Sequence, residues 1–237
     1  MFSAWVLLVL ILIQLLPVVI VYIWYRLAKY KISLVQFLFA ILAGAAAFFP
    51  ALVLQNMLTF PLISHGRGAL FYNFFIRIAL TEELSRSIML LIFFVFALKI
   101  KSDSYQSDGL NIIKQGTAIG LVAGLGFAIL ETARYAANDM NINIALLRLF
   151  TAALHAACGS RAGSAVVMFK TNPKQALLRF FSAVAIHGVY NLMVNIPGLP
   201  SIAALLITIS ALTTSILSIR GGWESVSISL DKSDETQ

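Results

Sequence analysis

Charge is scarce in this chain. Of its 237 residues only 11% are Asp, Glu, Lys or Arg, while 60% are hydrophobic. Soluble domains carry about 25% charged residues. A soluble protein of this composition would have no surface to show to water, and the mean hydropathy of +0.91 agrees. The scarcity excludes a free-standing soluble domain and makes the chain integral to a lipid bilayer. Carboxylates are the rarer sign, ten against 17 Lys and Arg, for a net charge of +7. That excess does not point to nucleic acid, because the cations are not clustered as a binding patch. They fall at the ends of apolar runs, as topology signals do. Cysteine is nearly absent: Cys158 alone excludes an intramolecular disulfide and says nothing firm about redox compartment.

What is there, in quantity, is apolar sequence. Seven apolar segments run over residues 4–25, 33–54, 70–98, 111–136, 145–169, 176–195 and 199–219. Each is near or above the roughly 20 residues that a helix needs to cross a membrane. The expected fold is all-α, a polytopic bundle of about seven transmembrane helices. The first segment lacks a basic leader and is too long for a signal-peptide core, so it reads as a retained helix, kinked at Pro17. Residues 1–220 read as one domain, without a soluble insert, long linker or repeat. Residues 221–237 read as a polar tail. Arg26, Lys29, Lys31, Lys99, Lys101, Lys114, Lys170, Lys174 and Arg220 all fall on one side of the alternating spans. By the positive-inside rule that side is cytoplasmic, with the N-terminus outside and the tail inside.

Against this background, "TEELSRS" (81–87) stands out, since it places two carboxylates and an arginine inside an apolar run. Glu82, Glu83, Glu131, His155 and His187 all lie within spans, where each charge costs several kcal/mol. One reading is that they pair with arginines and only hold helices together. Their depth argues for more. Glu82 is 17 residues before Lys99, Glu131 is 17 after Lys114, His155 is 15 before Lys170 and His187 is 13 after Lys174. At 1.5 Å per residue these lie roughly 20–25 Å above the inner edge of a ~30 Å core. Structural pairs would need no common plane, whereas a shared site would.

Spacing adds detail. Glu82 and Arg86 are four apart and share a helix face, while Glu83 meets Arg86 at three. His187 and Asn191 are four apart in "HGVYN", as are Glu131 and Tyr135. Cys158, three after His155, reads as a small core residue rather than a zinc ligand. Gly116, Gly120 and Gly124 in one span and Gly159 and Gly163 in the next read as close-packing positions. Arg161, on another face from His155, either snorkels or pairs with an acidic lipid. Arg148 is an interfacial anchor or a guide for a substrate carbonyl or carboxylate. Arg77 has no evident role, and His65 falls in an outer loop.

Four stretches in order, "EELSR" (82–86), "GLGFAILETARY" (124–135), "HAACG" (155–159) and "HGVYN" (187–191), resemble the PrsW family of intramembrane proteases. That family lies within the superfamily of CAAX-processing and bacteriocin-processing proteases. The resemblance covers about residues 70–195, the expected catalytic core. Arg86 stands where the family usually has lysine, and Thr132 where it has asparagine. The resemblance implies hydrolysis of a peptide bond in or beside the transmembrane segment of a substrate. It implies Glu82, Glu83, Glu131, His155 and His187 as the catalytic set, supported by Arg86, Asn191 and Tyr135. The partners implied are a single-pass membrane protein and the bilayer, and the location a prokaryotic plasma membrane.

The residues suit that chemistry. A glutamate stripped of water is a stronger base, and His187 and Asn191 could supply oxyanion donors. Two versions stay open: zinc held by His155, His187 and a glutamate such as Glu131, with a second glutamate as base, or no metal, with Glu82 activating water directly. Two other classes compete. A proton- or ion-coupled transporter would also bury Glu and His, though transporters tend to show matched repeats and broken helices. A catalytically silent relative is opposed only by the intact set of Glu and His.

Overall fold

The computed structural model describes residues 4–30, 32–59, 66–96, 109–138, 142–196 and 198–221. Among them every regular element is helical: α1 (Ala4–Leu27), α2 (Leu34–Met57), α3 (Arg67–Phe71), a π-helical stretch (Tyr72–Leu80), α4 (Thr81–Phe96), α5 (Gly109–Asn138), α6 (Ile142–Met168), α7 (Pro173–Val194) and α8 (Leu199–Arg220). The third to fifth abut, so the described chain forms seven rods, one for each apolar segment. Four stretches, Leu34–Met57, Ile112–Tyr135, Pro173–Val194 and Ser201–Arg220, are long and apolar enough to cross a membrane. The protein is an all-α polytopic membrane protein. Lys31, His65, Lys99, Lys101 and the tail from residue 222 lie outside the described residues.

Local chemistry sets several helix ends. The Ser33 hydroxyl accepts from the Gln36 backbone N–H while Gln36 Oε1 accepts from the Ser33 N–H, a reciprocal cap that starts α2. Asn172 Oδ1 accepts from the Gln175 N–H, and Pro173 supplies a fixed φ for the first turn of α7. Gly221, at φ 92°, ends α8 in the left-handed region.

Exposure is inverted relative to a soluble protein. Leu16, Phe49, Leu91, Phe181 and Ile202 are each more than half exposed. In water such a surface would aggregate; in lipid it is the expected coat. The buried interior holds the polar side chains and many alanines, together with larger apolar residues such as Leu90, Phe127 and Leu154. Helix α5 is the axis: its span is 72% buried, against 28% for α2, α7 and α8.

That axis is made of backbone contacts. A Cβ on Gly120 would come 2.1 Å from the Gly159 carbonyl oxygen, and one on Gly124 would come 2.0 Å from that of His155. On the other side, a Cβ on Gly44 of α2 would meet the Ala123 carbonyl oxygen at 1.8 Å. Helices α2, α5 and α6 thus touch main chain to main chain, which only glycine permits. The Tyr25 hydroxyl donates to the Ala118 carbonyl at 2.9 Å and fixes α1 to the same axis.

The π-helical stretch departs from the α-helix expected over 70–98, and its causes are tertiary. Arg77 Nε donates to the Gln55 carbonyl at 3.0 Å, tying the stretch to the end of α2. Its Nη1 donates to Asn73 Oδ1 at 3.0 Å. The Thr81 hydroxyl donates to the carbonyls of Arg77 and Ile78, at 2.7 and 3.0 Å. On the far side Phe75 packs where a Cβ on Gly188 would fall 2.4 Å from its ring. The stretch is wedged between α2 and α7 immediately before the two glutamates, and π-helical turns recur at functional sites.

Gly120→Ala should lower stability by about 1–3 kcal/mol, because the methyl must push α5 from α6. Gly68→Ala is the control, since nothing lies within 4 Å of its Cβ position. Thermal unfolding in detergent measures both; equal melting of the two variants would show that α5 and α6 part without cost.

Candidate functional site

Four rods deliver the polar residues. The first turn of α4 carries Glu82 and Glu83, with Arg86 one turn on. Helix α5 brings Glu131, α6 brings Arg148 and His155, and α7 brings His187. The four residues that the sequence places at one depth, together with Glu83 and Arg86, form one continuous network.

Its centre is dry. Glu83, Arg86 and His155 have no exposure at all. Arg86 Nη1 donates to Glu83 Oε2 at 2.5 Å and Nη2 contacts His155 Nδ1 at 3.0 Å. A guanidinium has no acceptor, so Nδ1 must accept. Neutral His155 therefore carries its proton on Nε2, which lies 2.8 Å from Glu131 Oε2. The other glutamate oxygen, Glu83 Oε1, accepts the Nδ1–H of His187 at 2.8 Å; in the neutral ring Nε2 is then a lone pair, 3.6 Å from Glu82 Oε2. The two imidazoles stand nearly perpendicular, at 87° with centroids 5.1 Å apart. The Arg86 guanidinium lies 4.6 Å from the Phe127 ring centroid.

Glu82 is the outlier. Gln55 Nε2 of α2 donates to its Oε1 at 2.9 Å, but Oε2 is buried with no hydrogen-bond partner. Glu82 lines a cavity of ≈ 280 Å³ together with Glu131, Arg134, Tyr135 and Asn191. The lining residues Gln55, Tyr135 and Asn195 lie at the C-terminal ends of α2, α5 and α7, so the cavity leads from the glutamates to one end of the bundle.

This donor set fits a metal. Ligand atoms of Glu82, His155 and His187 all come within 4.8 Å of one another. His187, oriented by Glu83, presents a bare nitrogen, and the orphaned Glu82 oxygen faces it, an arrangement common behind metal-binding histidines. To ligate through Nε2 as a neutral ring, His155 would carry its proton on Nδ1, with Arg86 Nη2 turned away from it, and Glu131, now bonded to Nε2, would yield that nitrogen. Glu131, named with the histidines in the ligand set drawn from sequence, stands outside the close group; Glu82 stands inside it. Two histidines and a carboxylate, with a position left for water, suit zinc.

The chain matches the family described as PrsW family intramembrane metalloprotease over residues 33–216. It belongs to that family. No curated protein and no solved structure gives a significant match. The activity at family level is therefore peptide hydrolysis in the membrane by a metalloprotease, acting on a membrane protein. The matched stretch extends beyond 70–195 at both ends and takes in α2 and α8 of this PrsW-family chain. Its inclusion of α2 accords with the bond from Gln55 to Glu82.

The supporting residues divide. Asn191 and Tyr135 both line the cavity. Among the described residues no hydrogen bond joins Asn191 to His187 or Tyr135 to Glu131. Tyr135 instead lies under Arg148, whose guanidinium carbon is 3.6 Å from the ring centroid. Arg148 donates to Glu131 Oε2 at 3.0 Å, so it is neither a bare anchor nor a free guide. Its spacing of seven from His155 already put both on one face of α6, the signal for this pairing. Gln55 had no such signal: a lone amide near a span end reads as interfacial.

Arg86→Met should cost about 3–5 kcal/mol, because Glu83 would be left buried without its counter-charge. Arg86→Lys keeps the charge and should retain most of the stability. Denaturation of the two variants in detergent tests this, and a methionine variant as stable as wild type would remove the pair from the folding account.

Proposed function

We propose that this PrsW-family protease cuts one peptide bond in the outer part of a single-pass substrate's transmembrane segment, or just beyond it. The reading rests on one observation: a buried, unpartnered Glu82 oxygen lies 3.6 Å from His187 Nε2, and Glu82 lines a cavity that reaches the end of the bundle. Residues 1–220 act as one catalytic domain in a prokaryotic plasma membrane. The N-terminus lies outside and the tail from 221 inside, following the distribution of Lys and Arg. The C-terminal ends of α2, α5 and α7 then face outward, and so does the cavity. Water is excluded from the hydrocarbon core, so this is the short path for water and for an unwound substrate backbone.

Glu82, His155 and His187 would hold zinc. Bound there, it would polarise the scissile carbonyl and acidify the attacking water. The remaining roles belong to the chain itself. Glu83 holds the Nδ1 proton of His187 and so directs Nε2 to the site. Arg86 holds His155 from behind and neutralises Glu83. Glu131, the second carboxylate on the cavity, accepts the proton of water and returns it to the leaving amine. Arg148 keeps Glu131 aimed at His155. Asn191, on the cavity wall, donates to the developing oxyanion.

Two glutamine variants separate these roles. Glu131→Gln should retain metal and lose about 10²–10⁴-fold in rate. Glu82→Gln should lose both metal and cleavage. Elemental analysis of purified protein and fragment formation from co-expressed single-pass substrates give the two readouts. Full cleavage by Glu131→Gln would remove it as base, and full metal content in Glu82→Gln would remove it as ligand. Ion flux in vesicles without any cleavage would favour the transporter reading instead.

Terminal sequencing of a cleaved fragment tests the access route. The new ends should map to the outer third of the substrate's span or beyond; ends in the cytoplasmic third would overturn the orientation.

A further inference from the structure

Two further polar regions stand out from the apolar bundle. One is a cavity of ≈ 350 Å³ at the opposite end from the glutamates, lined by Arg161, Arg179 and mostly hydroxyl side chains. Its bonds tie helices together: Arg161 donates to Ser215 and Thr214 of α8, and Arg179 to Ser164 of α6. The other is the C-terminal end of α2, and it bears on the site itself.

Helix α2 supplies one wall of the glutamate-lined cavity through Phe48, Ala51, Leu52 and Gln55, and of these only Gln55 is polar. Gln55 is held twice. Its backbone carbonyl accepts from Arg77 Nε at 3.0 Å, and its side-chain Nε2 donates to Glu82 Oε1 at 2.9 Å. An ionised carboxylate can only accept, so the amide nitrogen must be the atom that faces it. This bond divides the two oxygens of Glu82. Oε1 is taken, while Oε2 is left buried, without a hydrogen-bond partner and 3.6 Å from His187 Nε2. The last torsion of a glutamate is broad. Without the amide, the carboxylate could turn and lose its aim at His187.

Arg77 does for Gln55 what Gln55 does for Glu82. It belongs to the π-helical stretch that leads directly into Glu82, and it reaches across to α2. Tyr72, at the start of the same stretch, repeats the tie by donating to the Leu58 carbonyl at 3.1 Å. These two bonds close the seam between α2 and the π-helical stretch and set the amide in register with the glutamate.

We propose that Gln55 is a positioning residue: it holds Glu82 Oε1 so that Oε2 is offered to the metal, and Arg77 acts on Glu82 through Gln55. This role rests on Glu82 being a metal ligand. It brings α2, which carries none of the clustered Glu and His, into the working of the site.

Zinc affinity of the full-length protein in detergent, measured by competition with a chelator, tests this. Gln55→Met keeps the length of the side chain and removes the donor, and should weaken zinc binding about 10–100-fold. Arg77→Met leaves the amide and the glutamate intact and should weaken zinc by a smaller factor. Added to Gln55→Met it should change nothing further, because its effect passes through Gln55. A purely structural part for Arg77 would instead give losses that multiply. Gln55→Asn keeps the amide on a stem one methylene shorter; it takes the place of Gln55→Met in the same cycle if the methionine variant folds poorly. Cleavage kinetics separate this role from the metal. If wild type cleaves without zinc, the ligand assignment falls, and Gln55 keeps its role only if Gln55→Met lowers kcat about tenfold or more with KM unchanged. Wild-type zinc affinity in Gln55→Met, losses from the two substitutions that multiply, or an unchanged kcat in the zinc-free case would overturn the role. Wild type with neither zinc nor cleavage would remove the site and the role together.

Discussion

One buried ion pair holds this site together. Glu83 and Arg86 sit one helical turn apart with no exposure, and each uses its remaining capacity on a histidine, Glu83 on His187 and Arg86 on His155. Either charge alone would be costly in this interior, since an uncompensated buried ion is strongly destabilising. Paired, they form a short bar between α6 and α7 that sets which nitrogen of each imidazole is turned towards Glu131 and Glu82. Such pairs are weak evidence for stability in general. Here the pair also fixes where protons reside, a job apolar packing cannot do.

The network is graded from dry to wet. Glu83, Arg86 and His155 are sealed, while Glu82 and Glu131 border the cavity. Two carboxylates on the same wall carry different partners: Glu131 accepts from Arg148 and His155, whereas Glu82 keeps one oxygen unpartnered. Environment, not residue type, distinguishes them, as expected where a site must divide chemical roles. The two cavities divide the molecule likewise, with carboxylates and imidazoles towards one end and arginines with hydroxyls towards the other.

Much of this is legible in the sequence. Apolar runs located all seven rods, because a span must be long and continuous whatever it packs against. The five residues of the network were legible because ionisable groups are rare in lipid and so stand out. The π-helical stretch was not, since residues 72–80 are as apolar as an α-helix would be and their geometry follows from bonds made by Arg77 and Thr81. Gln55 was hidden by its place near a span end. The substitution of Glu82 for Glu131 among the close ligand atoms was also invisible, because spacing along one helix says nothing about which carboxylate a neighbouring helix approaches. The hydroxyl cavity was hidden for another reason: Ser and Thr satisfy themselves on their own helix backbone in transmembrane segments, so they carry no positional signal.

The glycine seam has a mechanical consequence. Where α5 meets α6, main chain touches main chain, with the Gly120 and Gly124 positions pressed on the carbonyls of Gly159 and His155. A joint without side chains has no rotamers to rearrange. Glu131 stands on one side of it and His155 on the other, so their register is set by rigid surfaces, as in a vice whose jaws have no padding. Compliance is left to the walls built of rotatable groups: Gln55, Phe74, Ile78 and Asn195. Any adjustment to substrates of different shape falls on that side of the molecule, while the gauge between acid and imidazole stays constant.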